Sequence, residues 1–134
     1  MKSEVFLLDS SALITLLANE PGAQRVEQVL ARAENLIPWT TLLEVYYIAR
    51  RERGEAEADI LYALVKRLPV MILWDMDESI LLTAARITSD YRCSFADALI
   101  SAYAIQYQAV LLPKDPEFEQ LRGEIQMEFL PYKK

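Results

Sequence analysis

The stretch SFADALISAYAIQYQAVLLPKD, residues 94–115, reads as a nearly all-apolar helix followed by a short apolar strand, with a carboxylate at each end, Asp97 and Asp115. A helix that is apolar on every side belongs in an interior. Two acids bracketing so buried a unit therefore need a reason. One reason is local. Ser94 three residues ahead of Asp97 has the spacing of a capping box, and Asp115 ahead of Pro116 has that of an N-cap with proline at the first helical position.

The same alternation runs through the rest of the chain. VFLL (5–8), NLIP (35–38), PVMILW (69–74), AVLLP (109–113) and MEFLP (127–131) read as short buried strands. Between them lie helical patterns: SALITLLA (11–18), residues 23–33, TLLEVYYIARRER (41–53) closed at Gly54, EAEADILYALVKRL (55–68), residues 77–89 and residues 95–107. In the 55–68 helix, Ile60, Leu64 and Leu68 share one face. Continuous apolar strands separated by helices indicate parallel βαβ units, hence an α/β/α three-layer sandwich with a largely parallel central sheet. With no linker, repeat or low-complexity tract, residues 1–134 are expected to form a single domain, with Lys133 and Lys134 as a frayed tail.

Composition narrows the chemistry. The 134 residues contain no histidine and one cysteine, Cys93. This excludes Ser-His-Asp and Cys-His nucleophile systems, histidine-ligated zinc, an internal disulfide and multi-cysteine metal sites. Any catalysis must rest on carboxylates, with a hard metal ion as the natural companion. The N-terminal twenty residues match neither a signal peptide nor a membrane span, so the expected location is cytoplasmic, without membrane association. The net charge of -6 argues against gripping nucleic acid by bulk electrostatics. Local basic strips remain, at Arg50, Arg51 and Arg53 and at Lys66 and Arg67, although cations near helix C-termini are also favourable for the helix itself.

Four acids fall where a strand or its loop hands over to a helix: Asp9 after VFLL, Glu44 three residues after Thr41, Asp97 and Asp115. Each taken alone fits a cap. In a parallel sheet, however, all strands end on one side and the following helices start there, so the four can converge on one crevice. Such a cluster of like charges raises the pKa of its members and calls for a cation; oxygen ligands alone suit Mg²⁺ or Mn²⁺. Asp75 and Asp77 also sit at a strand end, where Asp77 or Ser79 as a helix cap is the simpler reading, and Glu20 in NEPG reads as a turn residue. Tyr46, Tyr47, Tyr62 and Tyr103 read as core or interface packing rather than base stacking.

With these residues in place, the chain resembles the PIN-domain family, especially the small toxins of VapBC-type toxin–antitoxin pairs. The resemblance rests on FLLDSSALITLL, IPWTTLLEVYYIARR, SFADALISAYA and AVLLPKDPEFEQL, in that order and across nearly the whole length. It implies that Asp9, Glu44, Asp97 and Asp115 are the catalytic and metal-holding acids, with Ser10 and Glu117 in support. It also implies a Mg²⁺- or Mn²⁺-dependent ribonuclease that leaves a 5′-phosphate and a 3′-hydroxyl, an RNA substrate steered by Arg50, Arg51 and Lys114, a cognate antitoxin and a homodimer. Helices spanning 41–68, apolar and tyrosine-rich, would be the surface for such a partner. Pro113 departs from the Ser or Thr more common at that strand end. Two rivals stand beside this reading. A phospho-receiver wants an acidic pair after the first strand, where LLDSSA offers one acid. A non-catalytic interaction domain would use the acids as caps only.

Overall fold

The computed structural model describes residues 4–132. The tail expected at Lys133 and Lys134 lies outside them. The elements run β1 (Val5–Leu7), α1 (Ser10–Leu17), α2 (Ala23–Arg32), β2 (Glu34–Pro38), α3 (Trp39–Arg53), α4 (Glu55–Lys66), β3 (Met71–Leu73), α5 (Glu78–Asp90), α6 (Phe95–Tyr107) and β4 (Val110–Leu111), followed by a 3₁₀ helix at Pro116–Leu121. The sheet order is β3-β2-β1-β4 and every pairing is parallel. This is the α/β/α sandwich expected from the strand–helix alternation.

Period-2 side-chain alternation explains why the strands are apolar throughout. Leu7, Leu36, Leu73 and Leu111 pack on one face with Ile80, Ile87, Ala98 and Ala102 of α5 and α6. Phe6, Leu8, Ile37 and Leu112 pack on the other with Leu13, Val26, Val45 and Val65 of the first four helices. Neither face of the sheet is left for solvent.

Three expectations need correction. The strands expected over 69–74 and 109–113 shrink to β3 and β4, because Pro69 and Pro113 have no N–H to give a ladder. The strand expected over 127–131 survives as a single parallel bridge, Leu111 to Met127, with Glu128 N donating to Leu111 O at 2.9 Å and Leu130 N to Pro113 O at 2.9 Å. It covers the β4 edge without lengthening into a ladder. Third, α4 does not bury the face that carries Ile60 and Leu64, which are 60% and 45% exposed. Packing against α3, it buries Ala58 and Val65 instead, while Leu68 does reach the core.

One partly buried polar chain ties α3, α6 and the segment after β3 together at the sheet end. Tyr103 on α6, fully buried, donates from its hydroxyl to Asp75 O at 2.7 Å and accepts from Trp39 Nε1 at 2.8 Å. Tyr103→Phe removes a partner from both groups. It is expected to destabilise the protein by about 1–3 kcal/mol, read as a lower denaturant midpoint with unchanged slope.

Candidate active site

Parallel pairing carries β1, β2 and β4 to one edge of the sheet, and the chain leaves each at that edge into a turn or helix. Asp9 lies two residues past β1, and Asp115 lies past β4 at the head of the 3₁₀ helix. Thr41 Oγ1 on α3 donates to Leu8 O at 2.9 Å, which pins the helix bearing Glu44 against the residue preceding Asp9. Asp97 lies in the first turn of α6. The closest group is Asp97, Asp115 and Glu117, each of which offers one carboxylate oxygen within 4.8 Å of the others. Asp9 and Glu44 stand near enough for their charges to act on Asp97.

The caps are partly real. Asp9 Oδ1 accepts from Ala12 N at 3.0 Å and from Ser11 Oγ at 2.8 Å, capping α1. Asp115 Oδ1 likewise accepts from Glu117 N at 2.8 Å. Both use one oxygen, and a carboxylate has two. Before α6 the cap is Ser94, whose hydroxyl accepts from Asp97 N at 3.1 Å, so the Asp97 carboxylate is not the capping group. The capping box expected at Thr41 and Glu44 is absent. Helix α3 starts earlier, at Trp39 with Pro38 as N-cap, which puts Thr41 inside the helix and leaves Glu44 without a capping task.

Electrostatics mark the same place. Burial, then Glu117 by hydrogen bond and charge, then Asp9 and Glu44 push the Asp97 carboxyl up to about 8. Glu44 is raised by burial and by Asp9, against a favourable hydrogen bond from Ser10. Burial raises Asp9 as well, against the hydrogen bonds from Ala12 and Ser11. Cys93 adjoins this cluster; burial and the charges of Asp97 and Glu117 keep its thiol protonated, so the donors on offer are oxygens.

Other candidates sit elsewhere. Asp77 caps α5 through Ile80 N at 2.9 Å, as the simpler reading held, and neither it nor Asp75 belongs to the close carboxylate group. Arg50 and Arg51 lie in the last turn of α3, Arg50 3.4 Å from Glu55 and Arg51 stacked 5.2 Å over Tyr47. Lys114 is a correction. It is buried, not displayed to substrate, and its ammonium contacts Glu20 at 2.9 Å and Thr15 at 3.0 Å. Glu20 is thus more than a turn residue. Ninety-four positions separate it from Lys114, and no sequence spacing signals the pair.

The raised Asp97 carboxyl has a sign-definite consequence. Between its ordinary value near 4 and about 8 the folded state binds a proton that the unfolded state does not, so stability falls as pH rises through that window. Melting curves in EDTA are expected to decline from pH 5 to pH 8, and Asp97→Asn to flatten most of that slope.

The comparisons follow this geometry. Several toxin–antitoxin structures share the fold. VapBC2 from Rickettsia felis, bound to a promoter DNA fragment, superposes with a TM-score of 0.77 at 13% identity, covering 94% of this chain and 98% of that one. DNA-bound VapBC from Salmonella typhimurium gives 0.73 at 21% identity, covering 94% and 98%. VapC20 from Mycobacterium tuberculosis, a sarcin-ricin-loop-cleaving toxin, gives 0.70 at 15% identity, covering 87% and 94%. No curated protein matches in sequence. The PIN domain family, however, matches residues 6–124 and so takes in every acid of the site. By that match the chain belongs to the PIN domain family.

Proposed function

We propose that the protein is a divalent-metal-dependent endoribonuclease, the toxin partner of a toxin–antitoxin pair. The observation that carries this reading is the convergence of Asp9, Glu44, Asp97, Asp115 and Glu117, with Asp97 pushed up to about 8 by burial and then by its acidic neighbours, in a PIN-family fold. An all-oxygen donor set without histidine fits Mg²⁺ or Mn²⁺. Asp97, Asp115 and Glu117 would hold the ion most closely, with Asp9 and Glu44 completing the negative wall and Ser10 orienting Glu44. Bound there, the ion supplies an activated water and neutralises charge on the phosphate and the leaving oxygen, to give 5′-phosphate and 3′-hydroxyl ends.

The protein's own part is to orient and to hold protons. Asp97, its pKa raised to about 8, keeps its proton in the metal-free protein and would release it to solvent when its carboxylate takes up a cation. Arg51 lies seven residues beyond Glu44 and so on the same face of α3, about 10 Å along the axis, from where it and Arg50 steer the RNA strand toward the acids.

A partner surface is also available. Leu43, Tyr47, Ile60, Leu64, Met71 and Trp74 are between 40% and 60% exposed, on the α3–α4 pair and on edge strand β3. That much apolar area suits an antitoxin and a second copy of the chain. The neighbours solved as VapBC complexes support the antitoxin. Among the described residues no helix is long and apolar enough to cross a membrane.

Purified, antitoxin-free protein is expected to cleave RNA with Mg²⁺ or Mn²⁺ and to stop in EDTA. Asp97→Asn should lower the rate more than about 100-fold, beyond what loss of an outer-shell partner costs, and keep the fold. Cleavage that persists in EDTA refutes the mechanism.

Asp9→Asn separates cap from site, because Asn caps as well as Asp. In EDTA the variant should melt at or above the parent. Excess Mn²⁺ should stabilise the parent by about 2.7 kcal/mol at a hundredfold excess over Kd, several degrees in Tm, and the variant should lose most of that shift.

A further inference from the structure

Lys114 is the one lysine among the described residues that is buried, 7% exposed, and it immediately precedes Asp115. Its Nζ donates to Glu20 Oε1 at 2.9 Å and to Thr15 Oγ1 at 3.0 Å, while Thr15 Oγ1 lies 3.3 Å from Glu20 Oε1. The three side chains close a small polar triangle between the end of α1, the α1–α2 turn and the segment after β4. Backbone reinforces it, since Glu20 N donates to Thr15 O at 2.9 Å.

Burying such a pair is a poor way to gain stability. Lys114 gives up nearly all of its water and Glu20, its side chain 24% exposed, gives up part; an apolar pair of similar volume commonly does as well or better. What the pair adds is direction. The flanking residues are Pro113 and Pro116, so the four-residue segment Pro-Lys-Asp-Pro has two stiff ends and few N–H groups with which to fix itself. Asp115 has extended backbone, φ -85° and ψ 126°, and in extended chain successive side chains point opposite ways. Lys114 is drawn inward and Asp115 is exposed, toward Asp97 and Glu117. Helix α1 thus holds Asp9 at its N-terminus and, through Thr15 and the turn that follows, holds the segment that presents Asp115.

We propose that Lys114 is a positioning residue: its buried contacts with Glu20 and Thr15 set the orientation of Asp115 and so the geometry of the carboxylate group that receives the metal. This deepens the metal-nuclease reading and rests on it. Lys114 touches neither metal nor substrate.

The test reads Mn²⁺ affinity by titration calorimetry, well below every melting transition, for the parent, Lys114→Met and the double variant Glu20→Met, Lys114→Met. The double variant matters because the single one removes the ammonium beside Glu20 and keeps the carboxylate's charge, whereas the double one removes both charges of the pair. Expected is a Mn²⁺ affinity roughly 10- to 100-fold weaker in every variant that folds, with the double variant melting in EDTA at or above the parent. A merely structural ion pair would lower Tm and leave affinity alone. A folded double variant that binds Mn²⁺ like the parent overturns the role of Lys114 and leaves the metal site standing. A parent that does not bind Mn²⁺ overturns the metal site, and this proposal with it.

Discussion

The register of β1 against β4 is the constraint on which the rest depends. Phe6 pairs with Val110 and Leu7 with Leu111, in parallel, so residues 9 and 115, over a hundred positions apart, leave the same end of adjacent strands. Parallel pairing needs a long crossover, and the helices that supply it bury both faces of the sheet. One crossover delivers Glu44 to that edge and another delivers Asp97. The hydrophobic core thus settles where the acids go, and their mutual repulsion is set against the burial of residues such as Leu7, Leu8, Leu111 and Leu112, all fully buried.

Capping and metal holding are not competing explanations here. Asp9 and Asp115 cap with Oδ1 and retain a second oxygen, so one side chain both orders the turn that carries it and faces the crevice. At α6 the two tasks are divided between Ser94 and Asp97. Glu44 has no cap to make at all. A side chain held half-buried beside another carboxylate, without a local task, marks a candidate functional site.

The charge balance of the chain follows the same logic. A net charge of -6 leaves no bulk positive charge with which to grip phosphate. Arginines near the end of α3 face solvent, and the lysine beside Asp115 is buried against Glu20. The exposed apolar residues of α3, α4 and β3 adjoin these arginines, Arg51 lying over the Tyr47 ring at 5.2 Å.

The sequence by itself determined the strand–helix alternation, the absence of histidine chemistry and the placing of Asp9, Asp97 and Asp115 at junctions. All of these follow from local periodicity and from residue types that allow only certain donors. Tertiary structure decided the rest. Which face of α4 is buried depended on α3 rather than on the helix's own pattern, so Ile60 and Leu64 turned outward. Glu117 came within 4.8 Å of Asp97 and Asp115, in the first turn of the 3₁₀ helix that Asp115 caps, while Glu44 did not join that close group. Lys114 turned inward because a carboxylate ninety-four residues earlier was waiting for it. Periodicity records what a residue needs from its neighbours along the chain. A charge pair across the fold leaves no such trace, since its partner is chosen by packing.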